Sequence, residues 1–277
     1  MKSAGHALLR LALTLITGTK KKQRLIVFGV RRSGNHAFTN WLANAVEEAE
    51  AELTALGDHP PLSHAFSSPN GAVIHLNEIN ELDVKSTFRL ALQARSLTRK
   101  CQWLIISFED VRPSAYPNFR RLPGREIHIW RGALEIISSR YHNLHKKANS
   151  GIGWSRQSCD AYFLDTLREF QRASPRQGLQ VWNYNLWLNS AEYRRSFLQE
   201  LGLTHDQVPK HSDVGGGSSF HGTSGHLEAD LGLRLRKVKP QGPWVNFLTN
   251  LMASHTDLFT KQETAAGKDF IQDGPTD

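Results

Sequence analysis

The residues Gly29-Val30-Arg31-Arg32-Ser33-Gly34-Asn35-His36-Ala37 lie between the apolar run Leu25-Ile26-Val27-Phe28 and an apolar-periodic segment through Phe38, Trp41 and Leu42. A buried strand, a glycine-bracketed turn and a helix start together make an anion seat. The first N–H groups of the helix and the positive end of its dipole face the turn. The Gly29-to-Gly34 spacing is that of a Walker A loop, but Asn35-His36 stands where a nucleoside triphosphatase carries Lys followed by Ser or Thr. No hydroxyl is positioned to hold Mg²⁺, whereas Arg32 can still supply a cation. The loop is therefore expected to take a phosphorylated ligand whose chemistry runs without a metal, and no metal ligands are assigned in the chain.

A second group of residues complements it. Glu126-Ile127-His128-Ile129-Trp130-Arg131 reads as a strand ending in a cation, and Gly132 to Tyr141 follows as a helix carrying Ser139 eight residues beyond Arg131. Eight residues span a little over two helical turns, so Ser139 returns to roughly the face of Arg131. The planar guanidinium is suited to a phosphate.

With both motifs, each after an expected strand and in this order, the chain resembles the sulfotransferases that use 3′-phosphoadenosine 5′-phosphosulfate (PAPS). The resemblance implies that Arg31, Arg32, Ser33, Gly34, Asn35, His36 and Ala37 hold the 5′-phosphosulfate, and that Arg131 and Ser139 hold the 3′-phosphate. It also implies that Tyr184, after the strand-like Val181-Trp182-Asn183, approaches the adenine; the alternative is a core aromatic. Gly215-Gly216-Gly217-Ser218-Ser219-Phe220 resembles a run in bacterial members, with Gly216, Gly217 and Ser218 near the 3′-phosphate. By composition alone the same run is a linker, and the Arg-Lys-Gly pattern of the cytosolic enzymes is absent.

Sulfuryl transfer requires donors for the negative charge that gathers on the leaving phosphate and a base for the acceptor's proton. Arg32 and the turn from Ser33 to His36 fit the first role. For the second, the cytosolic enzymes carry a His at the end of the strand before the 3′-phosphate Arg, and Glu109 stands at the matching distance here. The heparan-type branch places its Glu where this chain has Asn40, which excludes that arrangement. His75, Glu78 and His36 are rival bases, with His36 better placed to touch the sulfonate. A structural carboxylate paired with Arg112 is the other reading of Glu109. The implied acceptor is a hydroxyl or amine on a small molecule or glycan. Trp154 and Arg156, in an irregular stretch at 144–156, are candidates for contacting it.

These groups must be positioned by a scaffold. Short apolar runs at 25–28, 72–76, 103–107 and 127–130 alternate with helix-like stretches at 43–56 and 86–99. This predicts an α/β fold: a doubly wound parallel sheet with a P-loop-like phosphate site and helices on both faces. Ligands gather beyond the carboxyl ends of such strands, and each run here ends in polar residues. A strand near 181–185 leads toward a helix over 191–201, which Gly202 terminates.

Composition sets the remaining bounds. Lys and Arg number 34 against 26 Asp and Glu, a formal charge of +8. This suits a polyanionic nucleotide; no nucleic-acid-binding motif accompanies it, so nucleic acid is not an expected partner. Cys101 and Cys159 read as reduced thiols. Residues 1–22 form an apolar and basic helical extension, with Ala7 to Ile16 interrupted by Arg10 and followed by Lys20-Lys21-Lys22. It is too short to span a bilayer, and is expected to pack on a cytoplasmic protein. The alternative is peripheral membrane contact through this segment. Residues 23–277 are read as one α/β domain. Competing functional readings are a P-loop kinase-like phosphotransferase and a non-catalytic nucleotide-binding module.

Overall fold

The computed structural model describes residues 23–29, 33–51, 53–55, 62–76, 92–98, 101–109, 124–131, 136, 168, 179–209, 253–254 and 257. The extension at 1–22 lies outside them, as do Arg31, Arg32, Glu78, Arg112, Ser139, Trp154, Arg156, Cys159 and the run from Gly215 to Phe220.

The elements in chain order are β1 (Gln23–Gly29), α1 (Asn35–Glu47), β2 (Thr54–Ala55), β3 (Leu62–Ser67), β4 (Gly71–Leu76), β5 (Trp103–Glu109), β6 (Arg125–Trp130), β7 (Leu179–Asn183), α2 (Tyr184–Asn189) and α3 (Ala191–Leu201). Residues 92–98 are also helical. The fold is α/β, built on a seven-stranded sheet in the order β2-β3-β4-β5-β1-β6-β7. From β4 to β7 every neighbouring pair is parallel.

The sheet is mixed rather than wholly parallel, because β2 pairs antiparallel with β3 and β3 with β4. The reason is the short connection after Ser67. Only residues 68–70 separate β3 from β4, whereas a parallel crossover needs a dozen or more. Ser68 closes that turn, its N–H donating to the Gly71 carbonyl at 2.8 Å.

Across the sheet the chain moves from β1 to β4 and β5 on one side, then to β6 and β7 on the other. The order of connections therefore changes side at β1, the central strand between β5 and β6. The strands expected at 25–28, 72–76, 103–107 and 127–130 are present, each one to three residues longer than its apolar core, whereas the one expected at 181–185 runs over Leu179–Asn183 and Tyr184 already begins the next helix. The helix expected over 43–56 instead begins at Asn35 and stops at Glu47. Glu48 takes a left-handed conformation (φ 55°), and the Asn44 carboxamide oxygen accepts the N–H of Ala51 at 2.8 Å, turning the chain away.

Alternation along the strands decides what faces α1. Leu25 and Val27 of β1, Val73 of β4, Ile105 of β5, Ile127 and Ile129 of β6, and Trp182 of β7 share one core with Phe38, Trp41 and Leu42 of α1. Trp187, Phe197 and Leu198 extend it. The opposite residues, including Ile26, Phe28, Ile106, Phe108 and His128, are buried as well, as expected for parallel strands covered on both sides.

Trp41, Trp182 and Trp187 are fully buried. A buried aromatic of this kind removes roughly 150–250 Å² from water, or about 4–6 kcal/mol of transfer free energy before entropy costs. The Arg125–Glu200 ion pair at 2.7 Å is half-exposed and counts for at most about 1 kcal/mol. Burial of the aromatic core therefore outweighs this ion pair between β6 and the helix Ala191–Leu201. Asp206 reinforces that core by accepting from the Trp41 indole at 2.9 Å and from the Arg194 guanidinium at 3.0 Å.

Beyond β7 the chain enters α2 directly, and Ser190 then caps α3, its hydroxyl accepting the Tyr193 N–H at 3.1 Å. Gly202 ends α3 at φ 75°, as expected. The Tyr193 hydroxyl accepts the Asn183 N–H at 2.9 Å and so fixes the junction that presents Tyr184.

Burial pushes the Tyr193 phenol above its ordinary value of 10.0; Glu200 adds to this and the Asn183 hydrogen bond opposes it. The unfolded chain releases this proton near pH 10 while the folded protein retains it. The associated stability is therefore intact below about pH 10 and declines as pH rises further. Urea unfolding across the alkaline range is expected to show this slope, and Tyr193→Phe is expected to flatten it.

Candidate functional site

The face shared with α1 carries the polar ends of the strands. On β5, Ser107 and Glu109 continue the parity of Ile105; on β4, His75 continues that of Val73; on β1, Gly29 continues that of Val27. The register aligns Gly29 with Glu109 and His75 with Ser107. On the far side, Arg131 continues the parity of Ile129 and Tyr184 that of Trp182. These positions lie at the carboxyl ends of the strands, and all but Ser107 lie close to the first turn of α1 or to the Tyr184 ring that packs on it.

The turn itself is held by its own side chains. The Ser33 hydroxyl donates to the Asn35 carboxamide oxygen at 2.9 Å, and the Asn35 amide donates to the Phe108 carbonyl at 3.1 Å. Both residues are buried. Their side chains therefore brace the turn and tie it to β5, and any share in anion binding falls to their backbone. Thr39 completes this, its hydroxyl donating to the Asn35 carbonyl at 2.8 Å.

Both glycines at the bracket are required. A Cβ on Gly29 would collide with the Asn35 carboxamide, and one on Gly34 with the Tyr184 ring. Gly34 is also the N-cap of α1, at φ 108° and ψ 19°, and as a glycine it places no capping side chain of its own over the first turn.

Tyr184 is 5% exposed. Its ring packs on Gly34, lies against Trp182 and Trp187, and carries the Arg131 guanidinium 4.5 Å from its centroid. Tyr184 is thus packed among core aromatics at the point where the resemblance places the adenine. Its role is to connect the turn after β1 to the cation after β6.

On the other side of the α1 N-terminus, His36 meets two further imidazoles. Its ring centroid is 4.0 Å from that of His75 and 4.7 Å from that of His64 on β3. His75 Nδ1 lies 3.1 Å from the Ser107 hydroxyl. Glu109 is 5% exposed, and ligand-capable atoms of His36, His75 and Glu109 lie within 4.8 Å of one another. Three of the four base candidates are thus adjacent, while Glu78 lies outside the described residues. Burial, with His36 alongside, lowers the His64 pKa from 6.5 to about 4, so that this imidazole is neutral at physiological pH.

His64 was not among the residues singled out from sequence, and neither was Ser107. The only signal for Ser107 was its parity with Glu109 along β5. His64 sits in an antiparallel strand that no strong apolar run announces. The grouping of His36, His75 and Glu109 has no counterpart in the sequence reading, since its members are too far apart in the chain to form a spacing motif.

Among the described residues, no helix is long and apolar enough to cross a membrane. No family model, curated protein or solved structure matches the chain.

Gly34→Ala tests the turn. Its φ is unfavourable for a residue with a Cβ, typically costing about 1–3 kcal/mol, and the methyl must also displace Tyr184. The urea midpoint is expected to fall accordingly, and an unchanged midpoint would contradict the geometry described for Gly34.

Proposed function

We propose that this protein is a PAPS-dependent sulfotransferase, in which a doubly wound α/β sheet presents a P-loop-like phosphate site at the start of α1. The observation that carries the proposal is the packing of Arg131 on Tyr184 and of Tyr184 on Gly34. It joins two motifs that lie about a hundred residues apart in the chain and that the resembling family uses on opposite ends of one nucleotide.

The residues fit a nucleotide with phosphates at both ends. The start of α1, with Arg31 and Arg32, would hold the 5′-phosphosulfate. Arg131, with Ser139, would hold the 3′-phosphate, and the run containing Gly216, Gly217 and Ser218 would cover it. PAPS, when bound, supplies an activated sulfuryl group and a nucleotide bisphosphate as leaving group.

The chain's own task is electrostatic and positional. Backbone N–H groups of the α1 first turn and the guanidinium of Arg32 would hold the phosphosulfate end of the donor and favour negative charge there. One such preorganised donor is typically worth about 10²- to 10³-fold in rate. Glu109 receives the proton of the acceptor hydroxyl or amine, from a buried position beside the turn. His36 borders the same space and helps to orient the transferring group, while His75 is held by Ser107. Asn35-His36 replaces the Lys and hydroxyl residue with which a Walker loop grips ATP and Mg²⁺, which supports sulfuryl over phosphoryl transfer.

The deciding experiment is a calorimetric titration with 3′-phosphoadenosine 5′-phosphate in the presence of a chelator, with ATP and AMP as comparators. Selective binding of the bisphosphate is expected, and Arg131→Ala should weaken it by about 10- to 100-fold, the scale of one charge-assisted hydrogen bond. No binding, or a preference for ATP over the bisphosphate, overturns the proposal.

Glu109→Gln separates binding from chemistry. Bisphosphate affinity should remain near that of the wild type, while turnover of an acceptor identified by screening falls by about two orders of magnitude or more. Full turnover in Glu109→Gln would move the base to His75, His36 or Glu78.

A further inference from the structure

We propose that His36, His75 and Glu109 form a binding site for a divalent transition-metal ion of the Zn²⁺ and Co²⁺ type. Two imidazoles and one carboxylate are a donor set suited to such ions. They come from three elements that the core holds rigidly together: the first turn of α1, the penultimate residue of β4 and the last residue of β5. Their ligand-capable atoms lie within 4.8 Å of one another. Donors bound to one zinc ion at about 2.0–2.2 Å in tetrahedral geometry stand about 3.4 Å apart, a separation that rotation of the three side chains toward one point would bring about.

Two surrounding features support the assignment. Metal-bound histidines characteristically engage a partner through the ring nitrogen that does not bind the ion, which fixes the tautomer. Ser107 provides that partner for His75, at 3.1 Å from Nδ1, so that Nε2 is the nitrogen assigned to the ion. The second is His64, whose ring meets that of His36 edge-on at 4.7 Å and brings another imidazole to the border of the site. The carboxylate balances part of the ion's charge in a place where an isolated charge would be poorly solvated.

The ion and the proton acceptor draw on the same side chains. On the sulfotransferase reading, on which this one consequence rests, a bound ion therefore blocks the base and the site is inhibitory. Metal binding itself does not depend on that reading.

The test is titration of the chelator-treated full-length protein with Co²⁺, followed through its visible ligand-field absorption and then by displacement with Zn²⁺. The wild type is expected to bind one equivalent with the strong bands of a low-coordinate nitrogen and oxygen site, and to lose them to Zn²⁺. Ser107→Ala is expected to weaken binding by about 10- to 100-fold, and His75→Asn and Glu109→Gln by more. Circular dichroism establishes that each variant is folded. Absence of bands in the wild type overturns the proposal whatever the variants do. So do bands that persist unchanged in both His75→Asn and Glu109→Gln, because the ion is then held elsewhere among the 13 histidines. No nucleotide is present in this titration and no metal in the bisphosphate titration, so the failure of either proposal is seen separately from that of the other.

Discussion

The site depends on the Asn35 side chain more than on any other single contact. Its carboxamide receives the Ser33 hydroxyl and donates to the Phe108 carbonyl, joining the turn, the helix start and the neighbouring strand in a buried setting. Such a network is strong when every member is satisfied and costly when one is lost. The space Asn35 occupies is the space a side chain on Gly29 would need. One residue thereby accounts for a glycine at the end of β1, for the angle at which α1 leaves the sheet and for the placement of His36 one residue later. The residue that departs from the Walker pattern is therefore the one that builds the turn.

Around that point the two sides of the strand ends are chemically different. Toward β6 and β7 lie a cation and aromatic rings, with Arg131 over Tyr184 and Tyr184 against the tryptophans of the core. Toward β4 and β5 lie imidazoles and a carboxylate. Strand parity produces this division: the same face that buries Val73, Ile105, Ile129 and Trp182 emerges at its end as His75, Ser107, Arg131 and Tyr184. Core and candidate site are successive stretches of the same side-chain rows.

Much of this scaffold was legible in the sequence. Parallel strands buried on both faces read as continuous apolar runs, and 25–28, 72–76, 103–107 and 127–130 all became strands. Gly202 ended α3 because only its φ of 75° was needed there. The hairpin was less visible: β3 reads Leu-Ser-His-Ala-Phe-Ser, with too little apolar character to declare a strand. The end of α1 was hidden because Glu47, Glu48, Ala49 and Glu50 are all good helix formers, and the stop comes from the Asn44 side chain and a left-handed Glu48. The glycines and Arg131 could be singled out from local patterns. The grouping of residues 36, 75 and 109 could not, since it follows from register between strands that no short motif encodes. Tyr184 was found from its position after a strand, yet its packing role follows from neighbours contributed by Gly34 and Arg131.

The far end of α1 has a bearing on ligand capture. Glu47 accepts from the Ser68 hydroxyl and from the Asn70 amide, so the last turn of the helix is moored to the β3–β4 hairpin while Asn35 moors the first turn to β5. A helix secured at both ends has little freedom left to surrender when an anion arrives at its tip. On the proposed reading, ordering of this helix therefore makes almost no entropic demand on association, and affinity for the bound phosphate reflects the donors themselves rather than the work of assembling them.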